Sequence, residues 1–220
     1  DWGVAPDGKL PAFDPIIGAG AILTEAQHPG ICAMLLLDAI QPEGVTELQI
    51  DPANLLSAAG VIAYLKPLIT VQVLETGGLL RLGTAFSPTG QARYGRPAMH
   101  VQVQPDDGPT INHTVKGGEV WMAPVLPGVA ARVTVRLRGG LSIGGKGRIR
   151  QRVIAGAAGI IFDARGRPLA MPRPRDRAAR LTRWQAAMGG QDVAAALERA
   201  AASPLHSAPP PEESVYAVLS

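Results

Sequence analysis

The sequence predicts an α+β protein, with an α/β segment over residues 13–75, an all-β barrel or sandwich over 76–170 and a helical extension over 171–203. Three observations carry this. A strand, a glycine turn and a helix read consecutively from Phe13 to Thr24, FDPIIGAGAILT. Helical patterning stops at Glu75-Thr76-Gly77-Gly78, and short alternating runs separated by turn signals continue to Leu169. Helical spacing returns with Leu181, Trp184 and Met188.

Taken in order, residues 1–12 read as a Gly/Pro/Asp-rich loop or tether. Ile16 and Ile17 suit a short buried strand, and Gly18-Ala19-Gly20-Ala21 then turns into a helix. Such a turn brings backbone N–H groups close to a nucleotide in some folds and serves only tight packing in many others; on spacing alone packing is favoured. Pro29 to Gln41 is apolar on most sides, as a buried helix is, with Pro29 at its first turn and Pro42 and Gly44 ending it. Asp38 is the one charge inside, read as a paired acid rather than a ligand. Val45–Ile50 alternates as a strand. Asp51-Pro52 signals an N-cap and first-turn proline for a helix running to Leu65. Its patch Ser57-Ala58-Ala59-Gly60 admits either a neighbouring helix or a flat ligand, with helix packing favoured.

Seven runs then read as strands: RLGTAF, MHVQVQ, INHTV, EVWMAP, ARVTVRL, RIRQRVI and GAAGIIF. In ARVTVRL the arginines fall on one face, giving one wet and one dry side. Gly144-Gly145-Lys146-Gly147 lacks the ending of a P-loop and reads as a hairpin loop. Asp163 and Arg165 read as a turn-stabilising pair. A charged helix over Arg175–Met188 ends at Gly189-Gly190, and Asp192 caps a second helix to about Ala202. Residues 204–220 have the composition of a disordered tail.

Composition excludes several classes. With 46% hydrophobic and 18% charged residues, a packed globular protein is indicated, and 26 Gly with 20 Pro imply many turns. Cys32, the single cysteine, rules out an internal disulfide and sits in an apolar run, as an inert buried thiol does. No apolar run reaches the ~18 residues that span a bilayer, so no membrane association is expected and a cytoplasmic setting is the default. An N-terminal Asp in place of Met leaves processing or a longer parent open. His28, His100, His113 and His206 are scattered, without a metal-binding motif. Arginines gather between Arg132 and Arg183; no aromatic residues interleave with them, so nucleic acid is not an expected partner.

Several stretches in sequence order, DPIIGAGAIL, ICAMLLLDAIQPEGVTELQID, LLSAAGVIA, VQVLE and GIIFDARGRPL, resemble the C-terminal part of the glutamate mutase L family over roughly residues 14–188. That family supplies the accessory protein of the coenzyme-B12-dependent glutamate (methylaspartate) mutase, and its members are similar to the actin, sugar-kinase and Hsp70 ATPase superfamily. The resemblance implies the end of an actin-like lobe within 13–75. It implies an adenosine-binding segment at Gly18, Ala19, Gly20 and Ala21, and a closing helix with Ala59 and Gly60 near the adenine. ATP or ADP is the implied cofactor, and B12-dependent mutase subunits are the implied partners. One departure is that Ala21 follows Gly20 where a second glycine is expected, so its Cβ crowds the ligand. The superfamily's phosphate-binding hairpins and metal-binding acids come earlier than any residue present, so this chain is not expected to hydrolyse ATP alone.

Two function classes follow. One is part of a chaperone-like, nucleotide-dependent accessory protein with half of an adenosine site. The other is a non-catalytic binding module whose basic β face recognises an acidic partner, with no nucleotide role.

Overall fold

In the computed structural model, residues 14–26 and 28–201 are described, the last twelve by backbone alone. The expected loop over 1–12 and the tail over 204–220 lie outside the described residues. Among the described residues, nine strands and five α-helices follow in the order β1 (Ile16–Gly18), α1 (Ala21–Thr24), α2 (Pro29–Ile40), β2 (Gly44–Ile50), α3 (Leu55–Leu65), α4 (Pro67–Val73), β3 (Leu80–Ser87), β4 (Pro97–Pro105), β5 (Ile111–Lys116), β6 (Val120–Ala123), β7 (Ala130–Leu137), β8 (Arg148–Ile154), β9 (Ile160–Asp163) and α5 (Pro174–Ala201), with a π-helical turn over Leu74–Gly78 after α4.

The strands form two sheets. One is mixed, in the order β1-β2-β3-β9-β6; the other is antiparallel, in the order β5-β4-β7-β8. Each has two free ends in this order, so neither closes into a barrel. They pack face to face, with Phe86, Ala123 and Phe162 of the mixed sheet meeting Val101, Val103, Val133 and Val135 of the other in one core. Helices α2 and α5 cover the opposite face of the mixed sheet, where Leu37, Leu48, Leu82, Ile161, Trp184 and Met188 form a second core. The order is therefore helix layer, mixed sheet, antiparallel sheet. This explains why β3 and β9 are apolar on both faces: each is covered from two sides.

The strand pairing crosses the expected division at 75/76. β2 lies antiparallel to β3, with Val45 opposite Phe86 and Ile50 opposite Leu80, and β3 lies parallel to β9. The strands on either side of residue 75 thus share one sheet and both cores. Two further expectations need correction. Helix α3 starts at Leu55 rather than beside Pro52; Asn54 takes a left-handed conformation, and Asp51 still caps the helix from four residues back, accepting from Leu55 N (2.8 Å) and Leu56 N (2.7 Å). Helix α5 runs unbroken through Gly189-Gly190 to Ala201. A mid-helix glycine costs only about 1 kcal/mol, and Met188 beside it is locked in the second core.

Helix α2 begins at Pro29, where His28 Nδ1 accepts from Gly30 N (3.2 Å). Gly30 is required by close approach: a Cβ there would stand 1.6 Å from the carbonyl oxygen of Met188. Helices α3 and α4 form a hairpin between β2 and β3, joined by Thr70 Oγ1 donating to the carbonyl of Ala59 (3.3 Å). It is strongly apolar and mostly uncovered, with Val61 69%, Leu65 72%, Leu68 78% and Tyr64 90% exposed. Among the described residues no helix is long and apolar enough to cross a membrane. The glycine-rich run near Lys146 is a two-residue turn, closed by paired backbone hydrogen bonds between Ile143 and Lys146.

Candidate functional site

Strands β1 and β2 are parallel, with Gly18 beside Ile50. Their C-terminal ends therefore open on the same side, the position at which α/β sheets bind ligands. From one end the chain leaves through Ala19 and Gly20 into α1; from the other it leaves through Asp51 towards α3. Asp51 N donates to the carbonyl of Gly18 (2.8 Å), which ties the two exits together. Asp51 itself is fully buried, its carboxylate spent on the start of α3.

The two glycines of the first exit do different work. Gly18 is buried, and a Cβ there would meet Leu23 Cδ1 at 2.5 Å and Leu36 Cδ2 at 2.8 Å, so its lack of a side chain serves strand–helix packing. Gly20 has φ +109° and nothing within 4 Å of where a Cβ would be, so it is glycine for backbone conformation and borders open space. Ala19 and Ala21 are exposed on either side of it. Ala59 is buried against α4, whereas Gly60 is exposed with open space around it. The structure thus joins Gly18 to the start of the α3 segment through Asp51. Ala59 and Gly60 lie further along α3, with no hydrogen bond to residues 18–21.

A second constellation was only partly legible in sequence. Asp163 ends β9, fully buried. Its Oδ1 accepts from the backbone N (3.0 Å) and Nε (2.9 Å) of Arg165, and its Oδ2 from Nη2 of Arg165 (2.9 Å) and Nη2 of Arg167 (2.7 Å). Arg167 also donates to the carbonyl of Pro42 (3.0 Å) and to Ser87 Oγ (3.3 Å). Asp38 of α2 forms an ion pair with Arg165 Nη1 at 2.6 Å. Arg165 also lies 5.0 Å from the ring centre of Trp184 on α5. Burial pushes the Asp163 carboxyl up, but the charges and hydrogen bonds of the two arginines outweigh it and hold its pKa at about 2. Burial disfavours the Arg165 cation, and Asp163 and Asp38 more than restore it. Both oxygens of Asp163 are taken by the two arginines, and the network binds α2, β9 and α5 together. Asp38 and Asp163 are paired as the sequence suggests. Arg165 and Arg167, grouped by sequence with the basic segment, are buried; the tell-tale was their spacing of two and four residues from an acid that ends an apolar run.

Other candidates resolve simply. The Cys32 thiol is buried and donates to the carbonyl of Leu23 (3.2 Å); burial pushes its pKa up, away from a reactive thiolate. His28 caps α2, His100 Nδ1 lies 3.0 Å from Thr114 Oγ1, and His113 stacks on Trp121 with ring centres 4.1 Å apart. His206 lies outside the described residues. Among the described residues no group of three or more His, Cys, Asp or Glu side chains is placed to hold a metal. A groove of about 430 Å³ runs over the outer face of the antiparallel sheet, past His100, Gln102, Asn112, Thr114, Thr134 and Arg136. Compared with models of known families, with curated proteins and with solved structures, the chain matches none.

Proposed function

We propose that this chain is part of a nucleotide-dependent accessory protein for a B12-dependent mutase, as the resemblance to the glutamate mutase L family implies. In this reading it supplies the adenosine side of a nucleotide site and does not hydrolyse ATP by itself. The observation that supports the reading is the pairing of two exits at the C-terminal ends of parallel β1 and β2, with Asp51 N on the carbonyl of Gly18 at 2.8 Å. Gly20 and its exposed neighbours Ala19 and Ala21 border solvent at that end, where backbone N–H groups are free to approach a ribose or a phosphate. Gly18 is the packing glycine and Gly20 the one beside the ligand. The Cβ of Ala21 limits how closely the nucleotide approaches. An actin-like lobe would place the remaining contacts, those to phosphates and metal, on other residues. Nucleotide state would then bias how the accessory protein engages the mutase.

An isotope-labelled sample of the chain titrated with ADP and ATP tests this by backbone amide shifts. Saturable shifts at residues 18–21 and 51–60, abolished by Gly20→Val and kept in Gly60→Ala, are expected. Shifts confined to the arginines of β7 and β8, or none at all, would overturn the reading.

A further inference from the structure

We infer that the free edge of β8 is a docking site for an acidic protein segment in extended conformation, which joins the antiparallel sheet as a fifth strand. The inference does not rest on the nucleotide reading. β8 is the last strand in the order β5-β4-β7-β8, so among the described residues one side of its backbone has no partner strand. Such an edge is a ready template for an added strand.

Register decides the chemistry of its outer face. Arg148 stands opposite Arg136, Arg150 opposite Thr134, and Arg152 opposite Arg132. Continuing across the sheet, Arg136 stands opposite His100 and Arg132 opposite Gln104. Two arginine–arginine pairs thus sit directly cross-strand, an arrangement that destabilises a sheet. Among the described residues, Asp106 alone pairs with these arginines, through Arg152. Guarding the edge against aggregation needs charge on β8 only; it does not explain Arg132 and Arg136 on the interior strand β7. A partner carrying carboxylates accounts for all five.

The inner face sets the other half of the pattern. Ile149 is only half-buried and Gln151 is exposed on the side facing the second sheet, so the core between the sheets is open along this edge. An added strand alternating acidic and apolar residues places its carboxylates beside Arg148, Arg150 and Arg152 and its apolar side chains beside Ile149 and Val153. The outer face carries no Phe, Tyr or Trp in these rows, the large stacking platforms that single-stranded nucleic acid uses.

The test is fluorescence anisotropy of the full chain with a labelled peptide alternating Glu and Val. Two controls share its composition: one with Glu and Val in separate blocks, and one alternating but N-methylated on every second residue to remove strand pairing. The alternating peptide is expected to bind at least about tenfold tighter than either control and to weaken as salt rises. The double substitution Arg148→Glu with Arg150→Glu is expected to cost about another tenfold while circular dichroism stays unchanged and the melting temperature does not fall, since a glutamate in place of Arg148 would stand opposite Arg136. The proposal is overturned if the blocked peptide, polyglutamate or single-stranded DNA binds as tightly, since charge alone then suffices. It is equally overturned if the alternating peptide does not saturate, or if the charge reversals leave its binding unchanged.

Discussion

Asp163→Asn isolates the buried ion network with almost no change of shape. The carboxylate takes four hydrogen bonds from Arg165 and Arg167 at 2.7–3.0 Å, and the side chains of all three residues are at most 1% exposed. An amide keeps the volume and one acceptor but leaves Arg165 with Asp38, 37% exposed, as its one carboxylate, and Arg167 with only the neutral acceptors of Pro42, Gly166 and Ser87. Breaking a buried pair from one side costs about 3–5 kcal/mol, a large part of the total stability of about 5–15 kcal/mol of a domain. Urea unfolding followed by tryptophan fluorescence should therefore show a fall of about 3–5 kcal/mol with little change in slope. The pH dependence adds an independent check. The Asp163 pKa is lowered from an ordinary 3.8 to about 2 in the folded protein. The unfolded chain therefore takes up the proton first as pH falls. The associated stability is fully present above about pH 4 and is lost as pH drops towards 2, an amount of about 2–3 kcal/mol. The gap between wild type and Asp163→Asn should narrow across that window. A loss below about 1 kcal/mol at neutral pH would refute the view that the arginines depend on this carboxylate.

Gly30→Ala forces a Cβ into the carbonyl of Met188; it should destabilise by about 1–3 kcal/mol and speed hydrogen exchange in α5 before the strands exchange. Phe162→Ala removes the middle ring of the row Phe86, Phe162, Trp121, whose successive centres are 5.1 and 5.5 Å apart; chemical denaturation should show a loss of about 3–5 kcal/mol. Cys32, buried and with its thiol pKa raised, should react with a disulfide reagent only as fast as the protein unfolds, and a prompt reaction in the native protein would contradict its placement.

The strands were readable because their chemistry is local: ARVTVRL and MHVQVQ alternate, and Gly and Pro turns separate the runs. Which sheet each strand joins is not local. RLGTAFS places Leu82 and Ala85 in the core under the helices and Phe86 in the core between the sheets, and nothing within those seven letters says that β2 lies beside it. The boundary read at Glu75–Gly78 marks a real change of secondary structure, from helix to strand, that leaves the sheet continuous. Gly18 and Gly20 look equivalent in IIGAGA; only the packing of Leu23 and Leu36 separates a steric glycine from a conformational one. Arg165 and Arg150 are likewise the same letter in one basic segment, yet the first is buried beside Asp163 and the second is exposed opposite Thr134.

Because Ile50 stands directly opposite Leu80, residues 51–79 are in topological terms one long hairpin loop. Two antiparallel neighbours need no more than a tight turn to connect them, so the sheet does not require α3 and α4 as a bridge. The pair is an appendage hung on a fixed frame. Its apolar sequence can drift, lengthen or be exchanged without disturbing the register of β2 and β3. Conversely, a force applied at Tyr64 or Leu68 reaches the sheet along the chain through two strand ends, at Asp51 beside Gly18 and at Leu80.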